Sequence, residues 1–383
     1  MTPSSLQIEE ENLKSALDNP LDASLASGLA GALLMEVQLY GQWPTTARRR
    51  HIEQLIEALV GVIQTRELSI NLWCGLVGVL YAFEFTRAIS DSLLPPVLRE
   101  FIASMDEQLI AYLAGSAGAL HFDLITGVVG IGAYALMRTD LAAAKRLYAA
   151  VEVALLELSI LSEGGRVWVT KAQFTGPLAP EQSRLNGHVD LGLAHGLPGV
   201  VQLFAGALRH GLAGVQTAQW LREATTALIC RQGEAVNGAR YAYYCPQIDS
   251  EGSRLAWCYG DLSAGFAIHS AAQALQFPEW QVLADRLVLE RITQPEETLG
   301  LNDGALCHGH AGVMHLVKKL AADCASSDYS TFIHARLREL GTSASGYGCL
   351  PGFLEGSGGV LMALYDGPAR ERHHWDVCLC MGF

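Results

Sequence analysis

Four reactive side chains stand one or two residues before glycines, in parts of the chain that are far apart in sequence. They are His195, Cys258, Cys307 and His308. Two thiolates and an imidazole form a ligand set that selects Zn²⁺. Three protein ligands leave a fourth coordination position open, which is typical of catalytic zinc sites. The metal site requires that the fold bring these residues together. Otherwise, two buried free cysteines and a hydrogen-bonded histidine are a better interpretation than a metal site.

An internal repeat indicates that the fold does bring them together. A Gly-x-x-Gly step followed by an apolar helical run occurs along the whole chain, with a period of roughly 50 residues. Two extra residues separate the glycines in the fifth copy. If the copies are equivalent, the residues just before the first glycines converge at one place, and Cys258 becomes a neighbour of Cys307. The seven first glycines are Gly28, Gly75, Gly127, Gly196, Gly260, Gly309 and Gly356.

The repeat predicts an all-α architecture. The run after each glycine is apolar almost all round, as expected of a helix buried on most faces. The segments between these runs are charged and amphipathic, and they indicate outer helices. We therefore predict an α/α toroid of about seven inner and seven outer helices in a single domain over residues 1–383. An open solenoid is the alternative, but the first and last copies lack the polar faces of solenoid caps. The segments 167–174 and 240–245 are interpreted as short strands in loop insertions.

Composition narrows the class of protein. The 383 residues carry a net charge of −13 without a run of Lys or Arg, which argues against nucleic acid as a partner. No signal peptide is visible in the given sequence and no uninterrupted apolar run of about 18 residues occurs in it, so we expect neither secretion nor a membrane span. The nine cysteines are odd in number and widely spaced, so they predict reduced thiols in a soluble cytoplasmic protein.

Three motifs carry a resemblance to a known family. WCYGD at 257–261, CHGHAG at 307–312 and AHGLPG at 194–199, together with the glycine repeats, resemble the lanthionine synthetase C-like family, the lantibiotic cyclases. The resemblance implies an α/α toroid with a central zinc held by Cys258, Cys307 and His308. One departure is the sequence WCYGDLSAG, where the family usually has its next glycine two residues after WCYG. It predicts a different start for the helix that follows.

The resemblance also implies catalytic residues. The family's catalytic histidine falls on His195, its aspartate on Asp123, its arginine on Arg254, and its aromatic residue after the first zinc cysteine on Tyr259. A helix N-cap or turn role is the alternative for Asp123, and a structural ion pair is the alternative for Arg254. Cys74 occupies the place of His195 in the second copy, where we interpret it as buried filler.

The implied reaction is addition of a peptide cysteine thiol across dehydroalanine or dehydrobutyrine, which closes a (methyl)lanthionine thioether ring. The implied partner is a dehydrated precursor peptide, with a dehydratase and an exporter as further partners that would hold the enzyme at the inner membrane face. We expect His195 to be the acid, because its ordinary pKa lies near working pH. Asp123 would orient it, and Arg254 would stabilise the enolate oxygen.

Two other functions stay open on the sequence. A prenyltransferase-like toroid would also use zinc to activate a peptide thiol, but such enzymes typically use a carboxylate among their ligands. A non-catalytic zinc protein that binds peptide thiols or glutathione would keep the metal ligands without needing the acid.

Overall fold

The computed structural model describes most of the chain, including the first glycine of every repeat. The described residues are 2–116, 119–162, 164–175, 181–245, 252–324, 326–342, 350–367 and 373–381.

Seven apolar helices form an inner ring. Each begins directly after the first glycine of a repeat, which is the N-cap residue. Ten consecutive residues from Val77 to Thr86 are buried in the second of these helices, as the all-round apolar pattern predicts. The inner helices are α2 (Leu29–Gln42), α4 (Leu76–Ile89), α6 (Val128–Met137), α9 (Leu197–Arg209), α11 (Asp261–Leu275), α13 (His310–Ala321) and α15 (Ser357–Leu364).

Seven amphipathic helices form the outer layer. Helix α3 is representative: Thr45 caps its first turn, and Ile52, Leu55, Ile56 and Leu59 bury one face against the inner ring. Six outer helices follow an inner helix in sequence, whereas α1 comes from the N-terminus and packs against α15. The outer helices are α1 (Pro3–Asp18), α3 (Thr46–Thr65), α5 (Pro96–Gly115), α7 (Leu141–Leu158), α10 (Thr217–Ile229), α12 (Pro278–Ile292) and α14 (Ser327–Thr342).

The ring is closed. Helix α15 packs against α2, and the backbone N–H groups of Phe353 and Leu354 donate to the carbonyl of Ala26 at 2.8 and 2.9 Å. The prediction of a closed toroid with seven inner and seven outer helices is therefore confirmed, and the open solenoid is not formed.

The insertions between repeats contain the short strands. Strand β1 (Ser159–Ser162) pairs antiparallel with β2 (Gly165–Trp168), and β3 (Val189–Asp190) pairs antiparallel with β4 (Tyr244–Cys245). The strands are shorter than the predicted segments. A short helix, α8 (Glu181–Asn186), lies between them in sequence. Among the described residues, no helix is long and apolar enough to cross a bilayer.

The C-terminal segment fills the middle of the inner ring. Its 3₁₀ turn, Trp375–Leu379, is fully buried, and the hydroxyl of Tyr81 on α4 donates to the carbonyl of Trp375 at 3.0 Å. The indole N–H of Trp257 donates to the carbonyl of Leu379 at 2.9 Å. Since Trp257 directly precedes Cys258, this buried segment supports one of the loops at which the inner helices begin.

Candidate functional site

The loops that precede the inner helices are joined by backbone hydrogen bonds. The N–H of Leu124 donates to the carbonyl of Ala194, Ala194 to Cys258, and Cys258 to Cys307, at 3.2, 3.4 and 3.2 Å. Because these loops follow one another around the ring, the side chains that they carry meet at one end of the toroid. The register predicted from the glycine repeats is the register that the loops adopt.

Glycine is required where these loops turn into the inner helices. A Cβ atom at Gly196 would lie 2.2 Å from the carbonyl oxygen of Asp190, so a larger residue would push the loop away from the helix. Gly260 has φ +93°, whereas the other first glycines have negative φ. L residues rarely adopt that conformation. Helix α11, which begins at Asp261 within WCYGDLSAG, therefore starts differently from the other six inner helices, as the sequence predicts.

Cys258, Cys307 and His308 form a cluster that could hold a metal ion. Each offers one ligand atom, and the three atoms lie within 4.8 Å of one another. Tetrahedral zinc with bonds of about 2.0–2.3 Å separates its ligand atoms by about 3.5 Å, so small side-chain rotations would bring this set around the ion. The hydrogen bond between the two thiols lowers the pKa of Cys258 and raises that of Cys307, so Cys258 is the thiol that ionises first. This donor set fits zinc.

His195 and Asp123 form a close pair beside the cysteines. Nδ1 of His195 lies 2.6 Å from Oδ2 of Asp123. The aspartate is 1% exposed, whereas the imidazole is 41% exposed. Partial burial alone would lower the pKa of His195, but the hydrogen bond and charge of Asp123 outweigh it and raise that pKa. The pair therefore presents a histidine that stays protonated to higher pH than usual.

Asp123 also holds its own loop. Its Oδ1 accepts hydrogen bonds from the backbone N–H and the hydroxyl of Thr126 at 2.8 and 3.0 Å. Asp123 therefore does have the turn role that the sequence left open. One carboxylate oxygen stabilises the turn, and the other contacts His195. Although burial alone would raise the pKa of Asp123, hydrogen bonds from His121 and His195 lower it well below its ordinary value.

His121 is a member of this group that the sequence interpretation missed. Its Nδ1 lies 3.1 Å from Oδ1 of Asp123, and its ring stacks on Phe174 at 4.6 Å. His121 stands six residues before Gly127, at the position that Asp190 and Asp303 occupy in their own copies. The repeat register was the one signal that could have pointed to it.

Tyr259 and Arg254 lie on the same loop as Cys258. The hydroxyl of Tyr259 donates to Oδ2 of Asp190 at 2.7 Å, and its ring is 6.5 Å from that of His195. Within the described part of the chain, Arg254 forms no ion pair with a carboxylate. Its guanidinium charge nevertheless acts on Cys258, since it helps the stronger hydrogen bond from Cys307 to lower the pKa of that thiol. The structural ion pair considered from the sequence is therefore not formed with any carboxylate that the structure describes.

A cavity of about 570 Å³ opens beside His308. Ser27, Cys74, Asp303 and Glu355 line it together with His308. Cys74 is exposed there, so its interpretation as buried filler is wrong. Its side chain lines the open cavity instead of packing between helices. The eight cysteines within the described residues all carry free thiols.

The fold and the site define a class of protein, an α/α toroid with a Cys₂His cluster able to hold a metal and a histidine–aspartate pair at one end. The chain belongs to the lanthionine synthetase C-like protein family, whose sequence profile matches residues 19–380. Among solved structures, it is similar to nisin cyclase, with 19% sequence identity and a TM-score of 0.78 over 98% of this chain and 97% of that chain. No curated protein matches it in sequence.

Proposed function

We propose that this protein is a zinc-dependent peptide cyclase that forms lanthionine or methyllanthionine rings. The substrate would be a precursor peptide containing cysteine and dehydroalanine or dehydrobutyrine. The observation that carries the proposal is the placement of a Cys₂His cluster next to a carboxylate-paired histidine at one end of the toroid. Membership of the family and similarity to a protein named nisin cyclase support it.

Zinc held by Cys258, Cys307 and His308 would supply a fourth position where a substrate thiol binds and loses its proton. The neighbouring protein charges suit that task. Arg254 places a positive charge near the cluster without being neutralised by a carboxylate in the described part of the chain. The same guanidinium is available to an enolate oxygen that forms when a thiol adds to the alkene.

His195 would protonate the α-carbon after the thiol has added. Addition forms a bond between sulfur and the β-carbon, and the alkene electron pair moves onto the α-carbon and the carbonyl oxygen. The thiol proton is released, and the α-carbon must gain a proton, so the peptide keeps its mass. Nδ1 of His195 is held by Asp123, which leaves the Nε2 proton for the α-carbon. The exposed imidazole can then take a proton from water.

Tyr259 would position the reacting groups. Its hydroxyl is fixed on the buried carboxylate of Asp190, and burial together with that negative charge raises its pKa well above the ordinary value. It therefore stays neutral and holds its ring beside that of His195. A cytoplasmic location and a dehydratase or an exporter as further partners stay predictions of the sequence.

The test is a thiol assay on a synthetic peptide containing one dehydroalanine, a short spacer and one cysteine. After incubation with the purified protein, the peptide mass is measured by mass spectrometry before and after thiol alkylation. We expect an unchanged mass before alkylation and loss of the alkylatable thiol, provided that metal analysis finds about one zinc per chain. Protein without zinc contradicts the proposal. Zinc-loaded protein that binds the peptide but leaves its thiol free favours the non-catalytic alternative.

A further inference from the structure

A second carboxylate–histidine contact lies at the metal cluster itself. Nε2 of His308 is 3.1 Å from Oδ2 of Asp303. Both residues belong to the loop before α13, five positions apart in sequence. The other carboxylate oxygen of Asp303 accepts a hydrogen bond from the backbone N–H of Ala305 at 2.8 Å. The backbone carbonyl of Asp303 accepts one from the N–H of His310 at 2.9 Å. The loop backbone therefore holds this carboxylate in place.

An imidazole has one nitrogen for a metal and one for a hydrogen bond. A histidine that binds a metal usually donates its other N–H to a carboxylate or carbonyl, which fixes the tautomer and the ring orientation. In His308 the contact to Asp303 uses Nε2, so Nδ1 is the nitrogen left to join Cys258 and Cys307.

We propose that Asp303 is a positioning residue of the metal centre, whose carboxylate holds His308 with a proton on Nε2 and turns Nδ1 toward the two cysteines. The inference rests on the proposed function, because it concerns the same zinc. It adds a residue that neither the motifs nor the ligand cluster include. Asp303 would not touch the metal and would act through His308.

The other repeats provide an internal comparison. The aspartates at the same position in two other copies also use one oxygen to cap their loop and the second to hold a side chain. Asp22 accepts the backbone N–H of Ser24 at 2.9 Å and the hydroxyl of Ser27 at 3.1 Å. Asp190 accepts the N–H of Gly192 at 2.8 Å and the hydroxyl of Tyr259 at 2.7 Å. Of the three copies that have this aspartate anchor, only the one with Asp303 brings it to a proposed metal ligand.

This comparison provides a matched control. Asp303→Asn keeps an oxygen for the loop and removes the carboxylate charge facing His308. Asp22→Asn makes the same change where the partner is Ser27 and no metal ligand is present. If Asp303 acts through His308, its variant loses zinc affinity, whereas the Asp22 variant does not.

The experiment measures zinc affinity of the full chain by competition with a chromophoric chelator, with circular dichroism and thermal unfolding as checks on the fold. We expect Asp303→Asn to weaken zinc binding by about 10- to 100-fold, and Asp22→Asn to change it little. In Co²⁺-substituted protein, the ligand-field absorption bands should shift in Asp303→Asn alone, because a changed His308 orientation alters the coordination geometry.

Each outcome has a distinct meaning. Wild-type protein that binds no zinc refutes the proposed function and this inference with it. Wild-type binding that Asp303→Asn leaves unaltered overturns the inference alone. Equal weakening by both variants also overturns it, since it would assign the effect to loop stability. Weakening and a Co²⁺ spectral shift confined to Asp303→Asn support it.

Discussion

Two carboxylate–histidine pairs lie among the loops that carry the cysteines, and they differ in the histidine nitrogen that contacts the carboxylate. His195 meets Asp123 through Nδ1 at 2.6 Å, and that carboxylate is 1% exposed. His308 meets Asp303 through Nε2 at 3.1 Å, and that carboxylate is 31% exposed. In the proposed mechanism, the first pair would keep a proton on an outward-facing ring, whereas the second would leave a lone pair for a metal. The same two residue types would then serve different chemistry, decided by ring orientation and burial.

Removal of a thiol ligand should have the largest effect. We expect Cys258→Ala to lose zinc and to abolish thiol addition, because two remaining ligands bind the ion far more weakly. Metal analysis measures the zinc content, and the alkylation assay measures thiol addition. Cys230→Ala, which removes an exposed thiol outside the cluster, should leave zinc content and activity intact. Full zinc content in Cys258→Ala would refute the assigned ligand set.

The substitution His195→Asn should have the second-largest effect on activity. We expect kcat to fall by about 10²- to 10⁴-fold, the usual contribution of a general acid, while zinc content stays at the wild-type level. Steady-state rates with the dehydroalanine peptide measure the fall. An unaltered kcat would mean that the pair with Asp123 is structural, and the contrast between the two histidines would disappear.

Asp123→Asn tests how the buried carboxylate acts on His195. An asparagine keeps an oxygen for Thr126 but removes the charge that raises the pKa of His195. His195 works as an acid in its protonated form, so a lower pKa moves the alkaline limb of the rate profile to lower pH. We expect kcat to fall by about 10- to 100-fold at neutral pH, because that factor corresponds to the loss of one charge-assisted hydrogen bond.

A pH profile of kcat/KM separates these effects for Asp123→Asn. Recovery of rate as the pH is lowered would support a role through protonation of His195. A uniform fall at every pH would assign Asp123 to ring orientation alone. Asp303→Asn should not move this alkaline limb at saturating zinc, which distinguishes the two pairs in one assay.

His121→Phe should give the smallest effect. Phenylalanine preserves the stacking on Phe174 but removes one of the hydrogen bonds that lower the pKa of Asp123. We expect kcat to change by less than about fivefold, since Thr126 still donates to the same oxygen. The rate of the peptide assay checks this, and a loss as large as that of His195→Asn would mean that His121 itself takes part in proton transfer.

The sequence alone determined the ring and the meeting of its key side chains. Glycines at a period of roughly 50 residues, followed by apolar runs, dictate repeated helix pairs that can bury their faces only against one another. The same register placed Cys258 beside Cys307 and His308, because equivalent loops occupy equivalent places in a ring. Apolar end copies were enough to predict closure.

Only the tertiary structure decided which atoms face each other. The sequence did not assign Asp303 to His308, Asp190 to Tyr259, or His121 to Asp123, because hydrogen bonds depend on differences of tenths of an ångström in loop geometry. It also did not predict that Trp375–Leu379 fills the ring, since an apolar turn at a chain end has no period that specifies its position. Repetition fixes where loops meet, whereas the orientation of each side chain depends on contacts from other loops.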